Sequence, residues 1–81
     1  MHEWLAAASA RIAQGVGDDA SEYELTDADV ERLLELARVA AHESGERTNA
    51  PLACYLVGLA RGRRQGKDLA ELVDDVVNKR A

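Results

Sequence analysis

Residues 52–60 read LACYLVGLA, nine residues without a charge, and they follow Pro51 directly. Asn49 suits a helix cap and proline suits the first turn, so these two residues predict a helix that begins here. Apolar residues occupy nearly its whole circumference, and a helix that is apolar on all sides is buried on all sides. We therefore expect a central third helix that is enclosed by the rest of the chain, with no catalytic cleft along it.

Three amphipathic segments accompany this helix. Each repeats apolar residues at three- and four-residue steps, the pattern of one buried helix face. Glycines stop the first two segments, and capping residues begin the second and fourth. The predicted helices are His2 to Gln14, a helix from about Asp27 to a stop at Gly45, a helix from Asn49, and Asp68 to about Lys79. The predicted fold class is all-α: a compact bundle of four helices with a central apolar third helix, in one domain of residues 1–81.

Charge and composition exclude several classes of protein. The net charge is −5, which argues against general nucleic-acid binding because such binding depends on neutralising phosphates. The nine-residue apolar run is shorter than the roughly 20 residues that span a bilayer, so we expect no membrane segment. The N-terminus carries no basic leader, and the single cysteine, Cys54, cannot form an intramolecular disulfide. A cytoplasmic protein is the expectation.

The charge is unevenly distributed, and a basic cluster follows the apolar run. Residues 1–49 carry eleven acids and four bases, or −7, and residues 50–81 carry four acids and six bases, or +2. The cluster comprises Arg61, Arg63, Arg64 and Lys67. Cations near a helix C-terminus offset its negative end, which is a sufficient structural explanation. An anion or a partner protein could also bind there, although GRRQGK lacks the spacing of a P-loop.

Small residues recur at intervals of four along the third helix: Ala50, Cys54, Gly58, Gly62 and Gly66. Each glycine inside a helix costs about 1 kcal/mol relative to alanine, so a close approach of another backbone is the expected compensation. Tight packing within the chain is the favoured interpretation, and a self-association face is the alternative.

The remaining candidates for chemistry have structural explanations. His42 and Glu46 share a helix face but are too few for a structural metal site. Cys54 lies among leucines, where a thiol is usually an inert core residue. Trp4 and Tyr55 are interpreted as anchors at the edge of the core. We predict no catalytic residues, no metal and no cofactor, and no catalytic activity from the chain alone.

Three segments carry a family resemblance: EWLAAASARI, LLELARVAAH and ERTNAPLACYLVGLARGR. They resemble a small actinobacterial helical domain of unknown function, found alone or attached to proteins of molybdopterin-guanine dinucleotide biosynthesis, including the molybdenum cofactor guanylyltransferase. The motif positions that match are His42, Pro51, Tyr55, Gly58 and Gly62. The glycine-rich phosphate loop of that enzyme is not found in this sequence. The resemblance therefore implies a companion or appended domain rather than the catalyst.

Three functional hypotheses follow. The favoured one is a non-catalytic accessory domain that contacts a protein partner, either a guanylyltransferase-type protein or a molybdoenzyme component. The second is a module that binds a small anion, nucleotide or pterin through the basic cluster. The third is a homodimer whose interface completes the small core. The first hypothesis depends on residues 52–60 being enclosed by the chain itself, because an enclosed helix leaves no cleft beside it. An open segment at 52–60 would overturn it.

Overall fold

The computed structural model describes residues 3–63 and 67–78, and these residues form helices joined by short connections. Within them there is no strand, so the predicted all-α class with four helices is confirmed. None of the described helices is long and apolar enough to cross a membrane. The helices are α1 (Glu3–Val16), α2 (Asp27–Ser44), α3 (Asn49–Arg63) and α4 (Leu69–Val77), and a short 3₁₀ helix (Ala20–Tyr23) links α1 to α2.

Local sequence signals set the ends of α2 and α4. The Asp29 N–H donates to Thr26 Oγ1 at 3.0 Å, and the Thr26 N–H donates to the Asp29 carboxylate at 3.0 Å, which completes a capping box. Asp68 and Glu71 form the same pair of bonds at the start of α4, as the sequence predicted. Gly45 ends α2 in the left-handed conformation, with φ at 74°.

The start of α3 differs from the prediction. Asn49 lies inside the helix rather than capping it, and its N–H donates to the Glu46 carbonyl at 3.0 Å. The Ala50 N–H similarly donates to the Arg47 carbonyl. A backbone turn therefore satisfies the first donors of α3, and Pro51 follows in the first helical turn.

The core is built by α2, α3 and α4. Leu36 of α2 is completely buried, and it packs with Val57 of α3 and with Leu72 and Val73 of α4. An ion pair between Arg32 and the carboxylate of Asp74, at 3.4 Å, also joins α2 to α4. The remaining sides of the core are closed by partly buried residues: Leu33, Ala53, Cys54, Ala60, Leu69 and Val77.

The enclosure predicted for residues 52–60 is wrong. Leu52, Tyr55, Leu56 and Leu59 of α3 are 44–67% exposed, although Val57 on the opposite side is buried. The physical reason is the position of α1. That helix packs against the 3₁₀ helix, and its described residues make no close backbone approach to α2, α3 or α4. Only two helices therefore pack against α3, and its third side faces solvent.

The position of α1 also corrects the prediction for Trp4. Its side chain is 70% exposed, so it is not an anchor at the core edge, and Ile12 and Val16 of the same helix are exposed as well. Only Ala13 of α1 is buried. The apolar stripe of α1 exists in the sequence, but the described part of the fold leaves most of it uncovered.

The total surface reflects these uncovered faces. The chain exposes 6257 Å². A compact monomer of 8.8 kDa exposes roughly 4,800 Å², so about 1,500 Å² is in excess. The Cα radius of gyration is 13.3 Å, against about 11.7 Å for a compact chain of this length. Part of the surface that a small domain normally buries is therefore open.

Candidate functional site

Two surfaces of the described structure are candidates for function. The first is a cleft of about 650 Å³ between the 3₁₀ helix and α3, which the start of α2 and the N-terminus of α4 complete. The second is the apolar side of α3, with a shallow groove of about 260 Å³ where α3 meets α4. The cleft includes titratable groups, and the groove is almost entirely apolar.

The charged residues around the cleft are mainly acidic. Among the residues that the structure describes, Glu22, Glu24, Asp29 and Asp68 line it together with one cation, Arg61. Two of the carboxylates already accept backbone N–H bonds as helix caps, at Asp29 and Asp68. From the residues described in the structure, an anion entering this cleft would meet four carboxylates and one guanidinium, and this charge balance does not favour phosphate binding.

The described members of the basic cluster point in different directions. Arg61 lines the cleft, whereas Arg63 lies two residues further along α3 and projects about 200° around the helix from it. The Lys67 ammonium donates to the Asp75 carboxylate at 2.5 Å, so its charge is paired. Arg64 lies outside the described residues. The three described cations therefore do not converge on a shared position.

Cys54 lines the cleft as a protonated thiol. Its S–H donates to the Leu33 carbonyl at 3.8 Å, and burial raises the pKa of the Cys54 thiol. A nucleophilic cysteine needs the opposite environment, one that lowers the thiol pKa. The geometry agrees with the predicted role of Cys54 as a small residue beside the core.

Tyr23 fixes the wall of the cleft that is formed by the 3₁₀ helix. Its hydroxyl donates to Asp18 Oδ2 at 2.6 Å, and this hydrogen bond to a carboxylate raises the pKa of Tyr23. Asp19 caps the same short helix by accepting from the Ser21 N–H at 3.2 Å. Side chains thus hold the loop between α1 and α2 in a defined shape.

All five positions that carry the family resemblance lie on the surface: His42, Pro51, Tyr55, Gly58 and Gly62. His42 is in the last turn of α2, and the other four are on α3. A Cβ atom added at Gly58 or Gly62 would meet no described atom beyond its own stretch of helix within 4 Å. The predicted tight packing of Gly58 and Gly62 within the chain is therefore wrong, because both line the cleft and the described elements across it stay beyond contact distance. Gly66 lies outside the described residues.

His42 and Glu46 do not share a helix face as the sequence predicted, because α2 ends at Ser44 and Glu46 follows the left-handed Gly45. Among residues 3–63 and 67–78, no group of three or more His, Cys, Asp or Glu side chains is placed to hold a metal ion. His42 itself is exposed near the C-terminus of α2.

The apolar side of α3 is the surface that the sequence prediction missed. Leu52, Tyr55, Leu56 and Leu59 form a continuous stripe, which we call the α3 face. Leu56 also lines the groove toward α4, where Val76 of α4 lies 42% exposed. No charged residue occurs in α3 before Arg61. Surface helices normally carry charged residues on the solvent side, so the lack of charge was the available signal.

A comparison with known protein families identifies the family of this chain. The model of a domain of unknown function, DUF6457, matches residues 1–81. The chain belongs to this family. No curated protein and no solved structure matches the chain. Among the described surfaces of this DUF6457 domain, the α3 face is the most distinctive, because it is both exposed and uncharged.

Proposed function

We propose that this DUF6457 domain is a non-catalytic interaction domain that buries its α3 face against another polypeptide. The observation that carries the proposal is the exposure of Leu52, Tyr55, Leu56 and Leu59 on a helix that has no charge before Arg61. The exposure of these side chains overturns the accessory-domain hypothesis in the form that required an enclosed third helix. The present proposal rests on the opposite arrangement, in which the open side of that helix is the contact surface.

The chemistry of the α3 face is that of a protein interface core. Such cores are depleted of charge and enriched in aromatic residues, with apolar residues around them. Tyr55 stands in the middle of the stripe and is flanked by Leu52 and Leu56. Burial of these side chains would contribute about 25 cal/mol for each Å² removed from water, which is the main favourable term in association.

The proposed setting is the cytoplasm, in association with molybdopterin-guanine dinucleotide biosynthesis, and the proposed partner is a guanylyltransferase-type protein or a molybdoenzyme component. The support is the resemblance of three segments to an actinobacterial domain found alone or attached to proteins of that pathway. Four of the five positions that match are on α3, and Tyr55 is part of the α3 face. These residues are available for contact, which an accessory domain requires.

The alternative function is a small anion- or nucleotide-binding module that uses Arg61, Arg63, Arg64 and Lys67. It has less support, because Arg61 faces an acidic cleft and Lys67 is paired with Asp75. The residues of the α3 face are uncharged, and Arg63, four residues after Leu59, is the single cation at the end of that side of α3 among the described residues. The interaction domain therefore accounts for more of the observed surface.

The test is direct binding between the purified chain and the guanylyltransferase-type protein of the same genome, measured by calorimetry. Leu56→Lys is expected to weaken binding at least about tenfold, because it places a charge in the contact. Val16→Lys is the matched control, since Val16 is as exposed as Leu56, both at 62%, but lies on α1. Absence of binding by the unmodified chain would refute the molybdenum assignment, and equal losses in both variants would refute the α3 face as the contact.

A further inference from the structure

We infer that the polypeptide covering the α3 face is a second copy of this chain, in a symmetric dimer with the two α3 helices antiparallel. This inference rests on the proposed function in one respect, that the α3 face is a protein contact. It places a second copy there, and the guanylyltransferase-type protein or molybdoenzyme component then competes with that copy for the same face. Three observations carry it: the spacing of the stripe, its lack of charge and the excess surface of the chain.

The spacing of the stripe is self-complementary. Positions 52, 55, 56 and 59 follow the i, i+3, i+4, i+7 pattern of a helix-pairing seam. The pattern is also symmetric about the midpoint between 55 and 56. When a second α3 runs antiparallel across that midpoint, Leu52 lies opposite Leu59 of the other copy and Tyr55 lies opposite Leu56. A two-fold interface requires this reciprocity, in which residue i meets j and j meets i.

The electrostatics permit the pairing. Residues 49–60 of α3 carry no charge, so the seam brings no like charges together when it is duplicated. Antiparallel helices also place the positive end of each macrodipole beside the negative end of the other. A parallel arrangement would align both dipoles and set each residue against its own copy.

The uncovered area leaves room for a second copy. The chain exposes about 1,500 Å² more than a compact monomer of its mass, an excess that the open sides of α1 and α3 share, and a standard interface buries about 800 Å² on each partner. Val76 extends the α3 face across the groove to α4, so the contact surface is wider than α3 alone. Association through this face needs no rearrangement of the core.

The experiment uses sedimentation equilibrium on the full chain over a wide concentration range. The unmodified chain is expected to have twice the monomer mass of 8.8 kDa. Leu52→Glu and Leu59→Lys are each expected to raise the dimer dissociation constant at least about tenfold. Both changes suit the helix dipole, because the acid is near the N-terminus of α3 and the base is near its C-terminus. The helix α3 should therefore remain folded in both variants. Circular dichroism checks this.

Mixing the two variants tests the register. In the antiparallel pairing, the new carboxylate at position 52 of one chain faces the new ammonium at position 59 of the other, and the second Leu52–Leu59 contact is intact. An equimolar mixture should therefore dimerise more tightly than either variant alone. Val16→Lys, the control on α1, should leave the mass of the dimer unchanged.

Each contrary result has its own meaning. A monomeric unmodified chain at all concentrations overturns the inference. If that monomer still binds the guanylyltransferase-type protein through Leu56, the proposed function survives, and if it binds nothing, both fail. A dimer that both single variants weaken, but that their mixture does not restore, overturns the antiparallel register. A dimer unaffected by either variant places the contact elsewhere and overturns the inference.

Discussion

At the scale of single residues, two glycines with different backbone conformations give opposite expectations. Gly58 is inside α3 with open space around its Cα, so Gly58→Ala should stabilise the chain by about 0.5–1 kcal/mol through higher helix propensity. Gly45 has a φ of 74°, so Gly45→Ala should destabilise it by about 1 kcal/mol. Urea denaturation of the two variants measures both effects. A loss of stability in Gly58→Ala would mean that something packs against this side of α3.

At the scale of single helices, the N-terminal cap of α4 gives the clearest test of how a local signal stabilises the fold. α4 has nine residues, too few to be stable without tertiary packing and good ends. The Asp68 carboxylate accepts from the Glu71 N–H at 2.9 Å, so Asp68→Ala should cost about 1 kcal/mol of unfolding free energy. Asp68→Asn keeps an oxygen acceptor in the same place and should retain most of the stability in thermal denaturation. Equal losses in both variants would attribute the effect to charge instead.

The helices were predictable from the sequence, but their arrangement was not. The cap at Asp68 and the glycine stop at Gly45 are local signals, which act within a few residues and are confirmed. Whether Leu52 or Leu56 is buried depends on where α1 packs, and apolar periodicity alone does not specify the element that covers a helix. The same limit explains the open α3 face.

The basic cluster at the end of α3 also shows that a local sequence pattern does not specify where side chains lie in the fold. Arg61 and Lys67 are close in sequence, yet one lines an acidic cleft and the other is paired with Asp75. Sequence proximity identified a concentration of charge. The direction of each side chain was set by the turn of the helix and by α4, neither of which the local pattern contains.

At the scale of the whole molecule, the core of α2, α3 and α4 should be more protected than α1. The described residues of α1 pack against the 3₁₀ helix, and an isolated helix of 14 residues is marginal in water. Hydrogen exchange followed by mass spectrometry should therefore show α1 peptides exchanging before those of α2, where Leu36 is completely buried. Equal protection of α1 and α2 would mean that another surface covers α1 in solution.

The absence of charge along residues 49–60 also fixes how association should respond to conditions. Contact through leucine and tyrosine side chains releases hydration water rather than counterions, so added salt should weaken it little. The heat capacity of association should be negative, and cooling toward 0 °C should favour the separated chains. Refrigerated, dilute solutions would then contain the largest fraction of dissociated protein.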